Sequence, residues 1–195
     1  MSCELIALGD LVNIMAGVPI NRARKLSDKD APKQVRSLTP AAMTANGIDD
    51  QLLGTETVSG VKEDLYTHEG DIIVKTSTPY DCAFIDKNHS GLLVTSFALI
   101  LRACPDSIVD IRYLAAFFGL EQTKRQLQGI SKGLKLQFIK KRDLAELMVP
   151  VPPHKEQARL AALYEGTRHR IELCQAIAVK SELLLESTLL NAITK

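Results

Sequence analysis

Three prolines within four positions, Pro150, Pro152 and Pro153, divide this chain of 195 residues into two regimes. Before them run glycines, prolines and short apolar segments; after Pro153 there is no proline and a single glycine, Gly166. Each proline bars its predecessor from the helical region, so residues 148–152 must be an extended connector. Pro153 itself suits a first helical position, where the missing N–H is one that a helix leaves unpaired anyway. The following stretch, His154–Ile193, is built of good helix formers, with Leu160, Leu163, Thr167, Ile171, Cys174, Ile177, Ser181, Leu184 or Leu185, and Thr188 recurring at threes and fours. As one helix it would be roughly 60 Å long, more than a small domain needs to cover its own core. Its charges balance, six basic against five acidic from Lys155 onward. That suits pairing with another helix along an apolar stripe better than lying on a membrane. The expected organisation is therefore a mixed α/β globular domain over residues 1–152 and a long C-terminal α-helix over 153–195 that forms a coiled coil.

Within the first regime the spacing predicts an opening strand or short helix at residues 5–14 and a turn at Ala16-Gly17-Val18-Pro19. It predicts a turn and buried strand at Gly70-Asp71-Ile72-Ile73-Val74-Lys75-Thr76, and a second strand at 83–86. A turn at 88–91 leads into one long strand over 92–102, the group forming a hairpin. Asp110 reads as the N-cap of an amphipathic helix marked by Tyr113, Leu114, Phe117, Phe118, Leu120 and Leu127 and ending at Gly129. A loop rich in Ser, Gly and Lys then enters a strand near Phe138, and 142–148 make a short amphipathic turn. No internal repeat is visible.

The net charge of +1 hides a strong polarity. Residues 122–142 carry seven basic side chains (Lys124, Arg125, Lys132, Lys135, Lys140, Lys141, Arg142) and no acidic one. Residues 19–36 carry Arg22, Arg24, Lys25, Lys29, Lys33 and Arg36 against Asp28 and Asp30, whereas 43–71 hold Asp49, Asp50, Glu56, Glu63, Asp64, Glu69 and Asp71 against Lys62 alone. Such segregation is the footprint of a face that meets a polyanion. Other classes lose ground. The longest uncharged apolar run, 91–101, is far short of the roughly 20 residues that cross a bilayer, and the start of the chain has Glu4 and Asp10 where a secretory leader would be basic then apolar, so a cytoplasmic location is expected. Cys3, Cys82, Cys104 and Cys174 form no C-x-x-C, and His68, His89, His154 and His169 no H-E-x-x-H, so no metal site or disulfide framework is expected and the cysteines should be reduced and mostly buried.

Catalytic patterns are missing. No G-x-x-x-x-G-K-[ST] or G-x-G-x-x-G cradle and no G-x-S-x-G elbow occurs. Ser77-Thr78-Pro79-Tyr80 lacks the Asn or Asp with which the N-P-P-Y motif of amino-methyltransferases holds its target amine, and reads as a proline turn.

The order of motifs is more telling than any one of them. Leu8-Gly9-Asp10-Leu11-Val12 opens the chain, Gly17-Val18-Pro19 and Gly70-Asp71-Ile72-Ile73 follow, and Leu144-x-x-Leu147-Met148-Val149-Pro150-Val151-Pro152-Pro153-x-x-Glu156-Gln157 closes the domain. This succession resembles the target-recognition domain and conserved-region helix of the specificity subunits of type I restriction-modification systems, over essentially the whole chain. The family's G-G-T-P turn is Ala16-Gly17-Val18-Pro19 here, and its leucine after the two prolines is His154. The resemblance implies a non-catalytic reader of double-stranded DNA that directs methyltransferase subunits, and a restriction subunit where one exists, to a bipartite target. It implies no cofactor in this chain, S-adenosylmethionine belonging to the partner methyltransferase. With one domain and one helix where the family has two of each, the chain looks like a half-subunit, restored to symmetry by homodimerisation. An interaction scaffold of the same fold, or a small methyltransferase or nuclease fragment, are the competing classes.

On that reading, Lys132, Lys135, Lys140 and Arg142 are the expected phosphate contacts, and Arg22, Arg24, Lys75, Thr76, Ser77, Tyr80, Ser131 and Gln137 the expected loop residues at base edges. Leu160, Leu163, Ile171, Cys174, Ile177, Leu184 and Thr188 are the expected dimer stripe.

Overall fold

A computed structural model describes residues 3–24, 31–105, 107–131 and 138–193. The chain divides into two compact units, Met1–Ala161 and Ala162–Lys195. The first opens with β1 (Glu4–Ala7), the single turn α1 (Leu8–Leu11), β2 (Val12–Ala16) and the short α2 (Ile20–Ala23). Next come β3 (Lys33–Leu38), the small pair β4 (Met43–Thr44) and β5 (Gly47–Ile48), and β6 (Gly54–Val58). The middle of the chain supplies β7 (Ile72–Lys75), β8 (Cys82–Phe84), β9 (Leu93–Val94) and β10 (Ala98–Ala103). Helices α3 (Ile111–Phe118), α4 (Glu121–Ser131) and α5 (Lys141–Ala145) precede β11 (Met148–Val151), and α6 spans His154–Ile193.

The centre is a four-stranded antiparallel sheet in the order β2-β10-β7-β8. Successive side chains of a strand point to opposite faces, and here both faces are covered. Ile72, Val74, Leu99 and Leu101 pack into a core with Leu114, Phe118, Leu127 and Leu144, while Ile73, Ala98 and Ile100 pack into a second core with Leu38, Met43, Ile85 and Val94. Double burial explains why G-D-I-I-V reads as continuous apolar sequence rather than an alternation. Gly70 turns into β7 with φ of 88°, a left-handed conformation that suits glycine. Asp71 follows it, buried, and binds Arg102 of β10 through both carboxylate oxygens, each at 2.8 Å, while accepting the His68 N–H at 2.7 Å.

The predicted long strand over 92–102 is two strands in different sheets. Leu93–Val94 runs parallel to β3 in the sheet β6-β3-β9, and Ala98–Ala103 joins the central sheet. Residues 95–97 carry the chain between them, and Gly17 passes so close that a Cβ on it would lie 2.2 Å from the Thr95 carbonyl oxygen. The predicted single helix after Asp110 is also two. Asp110 caps α3 by accepting the Arg112 N–H, but the Gly119 N–H closes the turn on the Ala115 and Ala116 carbonyls, and α4 starts afresh at Glu121. Gly129 lies inside α4 and does not end it.

The proline connector is extended, as its sequence requires, and is strand β11, paired antiparallel with β1 from Glu4↔Val151 to Ala7↔Met148. Pro153 accepts the Glu156 and Gln157 N–H groups at the start of α6. Gln157 is 1% exposed. Its Oε1 accepts the Asp110 N–H at 2.7 Å, and its Nε2 donates to the carbonyls of Pro152 (2.9 Å) and Ile108 (3.2 Å). This explains the glutamine of the P-P-x-x-E-Q junction: it fastens the first turn of the helix to the domain. Ala161 is buried and Leu160 packs against the same core, so the first two turns of α6 belong to the globular unit. Leu160, expected in the dimer stripe, is instead part of this core's edge.

The second unit is the remainder of α6. Leu163, Ile171, Leu173, Ile177, Val179, Leu183, Leu184, Leu185, Leu189, Leu190 and Ile193 are all exposed. Leu173, Val179 and Leu183 stand off the expected stripe, so apolar side chains ring this helix rather than line one seam. All four cysteines are free, and none is fully buried, contrary to expectation; Cys3 and Cys174 are exposed. Among the described residues no helix is long and apolar enough to cross a membrane.

Candidate nucleic-acid interface

Four segments distant in sequence meet along one rim of the first unit. The Val18 carbonyl accepts the Ser96 N–H at 3.0 Å; the Phe97 carbonyl accepts the Thr76 N–H and hydroxyl, each at 2.9 Å; and the Thr76 carbonyl accepts the Ile139 N–H at 2.8 Å. The backbone at Val18, at 96–97, at Thr76 and at Ile139 is therefore joined side by side in that order. Apart from the Thr76 hydroxyl, these joins are made by backbone groups.

The sequence-predicted reading residues divide sharply on this rim. Arg22 and Arg24 are exposed on and after α2, and Ser77 is partly exposed beside the exposed Thr78 and Pro79. Thr76 and Tyr80 are buried, at 6% and 2% exposure. The Thr76 hydroxyl is committed to the Phe97 carbonyl and Tyr80 belongs to the main core, so neither presents itself to a base edge as expected. Tyr80 adopts a φ of 55° at the end of the 77–80 turn, which its N–H closes on the Ser77 carbonyl at 2.9 Å. Lys75 is similarly engaged. Its Nζ lies 3.3 Å from Asp81 Oδ2, and Lys124 Nζ approaches Oδ1 of the same buried carboxylate at 3.1 Å. Two ammonium groups on one carboxylate pin α4 to the loop that ends at Asp81. Ser131 closes α4; Lys132, Lys135 and Gln137 lie outside the described residues, as do Lys25 and Lys29.

Electrostatics refine the charge map drawn from sequence. The basic 19–36 and acidic 43–71 segments are not kept apart in space: β3 and β6 are antiparallel neighbours, and basic side chains of the first segment pair with acidic ones of the second. Arg24 makes a two-pronged ion pair with Glu56 at 2.7 and 2.9 Å, whose hydrogen bond and charge raise the guanidinium's pKa. Arg36 binds Asp50 at 2.6 Å, and this hydrogen bond holds the Asp50 carboxyl below the usual range. Lys33 stands over the Tyr66 ring at 5.8 Å. The basic run at 140–142 is placed differently. Lys140, Lys141 and Arg142 are exposed at the start of α5, and among the described residues the ion pair of Arg142 is with Asp143, at 4.0 Å. Three exposed basic side chains thus follow directly on Ile139, at the start of α5.

Sequence reasoning missed Phe138. It was expected to enter a strand; it lies in no strand and is exposed on the rim, immediately before Ile139. An aromatic between a polar loop and a basic run is the signal that marks it. Among the described residues no group of three or more His, Cys, Asp or Glu side chains is placed to hold a metal ion.

No protein-family model and no curated protein matches the sequence. Solved structures do. A chain from a type I restriction-modification system, determined in work on complex assembly and conformational transition, superposes with a TM-score of 0.66 at 16% identity over 96% of this chain and 48% of that one. The HsdS subunit from Thermoanaerobacter tengcongensis gives 0.64 at 15% identity, over 91% and 45% of the two chains. The type I restriction-modification S subunit from M. genitalium gives 0.53 at 12% identity, over 93% and 44%. The chain spans about half the length of the solved chains it matches. It has the fold of type I specificity subunits, a mixed α/β domain followed by a long helix.

Proposed function

We propose that this chain is a sequence-specific DNA-binding specificity subunit of a type I restriction-modification system, itself without catalytic residues, working in the cytoplasm with S-adenosylmethionine bound by partner methyltransferase subunits. The observation that carries this reading is the joining of Val18, residues 96–97, Thr76 and Ile139 by hydrogen bonds beside the exposed Lys140, Lys141 and Arg142. Sequence-specific readers divide their contacts between phosphates, which position, and base edges, which specify. Here the basic start of α5 serves the phosphates, and Asn21, Arg22, Ser77, Thr78 and Ser96 are among the exposed or partly exposed polar groups at hand for bases.

The fold supports the same reading through α6. Its second unit exposes apolar side chains on more than one face, which favours more than one helical neighbour. One face pairs with α6 of a second copy in a two-fold coiled coil through Leu163, Ile171, Cys174, Ile177, Leu184 and Thr188, and the rest meets methyltransferase subunits. Two-fold symmetry in the protein makes the target palindromic, with a gap set by the helices.

Selection of duplexes from a random pool tests the function. The expected product is one palindromic target with a fixed gap. Deleting one heptad, residues 174–180, removes roughly 10 Å of each helix and shortens the gap. Enrichment of no sequence would overturn DNA reading, and a deletion variant that still dimerises and selects the original gap would overturn the spacing role. A scaffold without DNA-reading activity is separated by the same selection.

A further inference from the structure

We infer that Phe138 is a specificity-determining residue that contacts the 5-methyl group of a thymine in the major groove, an inference that rests on the DNA-reading function proposed above. Phe138 is 47% exposed, the most exposed phenylalanine among the described residues; Phe117 and Phe118 are buried in the core, and Phe84 lies on β8 away from the rim. The next residue fixes its place. The Ile139 N–H donates to the Thr76 carbonyl at 2.8 Å, and Ile139 itself is buried in the main core, so Phe138 is held at the lip beside the Ser77–Pro79 turn. On its other side begin Lys140, Lys141 and Arg142, all exposed.

An apolar ring set among side chains suited to phosphate would meet the nucleic acid wherever those cations do. Two chemistries are open to a phenylalanine there: it can wedge between base pairs, or touch the methyl that distinguishes thymine at the groove floor. A wedge needs the whole ring free to enter the stack. Phe138 has about half of its surface covered by its own domain, so the whole ring is not free to enter a stack. Contact by its exposed part suits the thymine methyl. Such a contact discriminates a base without a hydrogen bond, and it releases no counterions, so it leaves salt dependence alone.

The test uses the full chain and the duplex that it selects from a random pool. Each thymine of a half-site is replaced in turn by deoxyuridine, which lacks only the methyl. The wild type is expected to lose affinity about four-fold at one thymine, the worth of one buried methyl. Phe138→Ala should bind the thymine duplex more weakly and lose the difference between thymine and deoxyuridine at that position, with its salt slope unchanged. Phe138→Leu, which keeps an apolar side chain and guards against misfolding of the alanine variant, should preserve most of the difference. A difference that survives Phe138→Ala, a target without thymine, or equal affinity for every deoxyuridine duplex in the wild type would overturn the inference while leaving DNA reading intact. Failure to select any duplex would overturn both.

Discussion

Replacing Gln157 by leucine should destabilise the first unit more than any exposed change on α6. The leucine is near in volume but cannot hydrogen-bond, so three backbone groups lose their partner at once: the Asp110 N–H and the carbonyls of Ile108 and Pro152. A buried polar group left without a partner costs about 1–3 kcal/mol, the donor more than a carbonyl that keeps a second lone pair for other uses. The sum is on the order of 3–5 kcal/mol, a large share of the roughly 5–15 kcal/mol that holds a domain folded. With a urea m-value of about 1–3 kcal/mol/M, the unfolding midpoint should fall by on the order of 2 M. Gln157→Glu sharpens the test. A carboxylate keeps the Asp110 donor but faces two carbonyl oxygens, whereas its protonated form can donate to one of them, so folding raises the new carboxyl's pKa. Its stabilising proton is in place below the unfolded value of about 4.3 and is lost as pH rises through the folded value, so this variant should approach the wild type near pH 4 and fall away at pH 7. If Gln157→Leu unfolds within about 1 kcal/mol of the wild type, the glutamine does not fasten the helix.

Three further outcomes follow from the same structure. Gly17→Ala should unfold at markedly lower temperature, because its Cβ would sit 2.2 Å from the Thr95 oxygen, whereas Gly166→Ala, with open space around it on α6, should gain about 1 kcal/mol of helix stability; thermal melts followed by circular dichroism compare them. Asp81→Leu leaves Lys75 and Lys124 facing each other without their carboxylate and should cost about 3–5 kcal/mol in urea titration, while a loss within experimental scatter would show that the lysines find other partners. Burial pushes the Asp110 carboxyl up, but the hydrogen bonds and charge of Arg112, helped by His154, bring it below the usual range. A depressed carboxyl stabilises above its unfolded pKa of about 3.9 and ceases to as pH falls through the folded value, so Asp110→Asn, which keeps a capping oxygen, should flatten the acid limb of a stability profile below about pH 4.

The sequence announced those elements whose signal is local. Prolines at 150, 152 and 153 stop the helical conformation and their absence beyond permits it, so α6 has the predicted bounds. Gly70-Asp71 heads a strand, and Asp110 caps a helix, because each acts within a few residues. What stayed hidden depends on partners far along the chain. The apolar run over 92–102 reads as one strand because both pieces are buried, and nothing local says that they are buried in different sheets. The break at Gly119 lies in an amphipathic pattern that α3 and α4 share. The charge segregation along the chain does not survive in space, because the ion pairs that join its segments, Arg24 with Glu56 and Arg36 with Asp50, are non-local. For the same reason Thr76 and Tyr80 passed as loop residues: polar type and position suggest exposure, and only the neighbouring Phe97 carbonyl and the main core remove it.

The pairing of β1 with β11 bears on the order in which the protein assembles. Glu4 meets Val151 across the longest stretch of chain closed by any described strand pairing, and such contacts recover the entropy of closing their loop only after nearer pairings have shortened the chain between them. During synthesis the first strand therefore waits, its edge open, until residue 151 has left the ribosome. The Gln157 contacts, which join this junction to the Ile108–Asp110 backbone, come later still. A nascent chain arrested before residue 148 should consequently hold the central sheet while its first strand remains available to chaperones or to another copy, and the register of α6 on the domain becomes a late step of maturation.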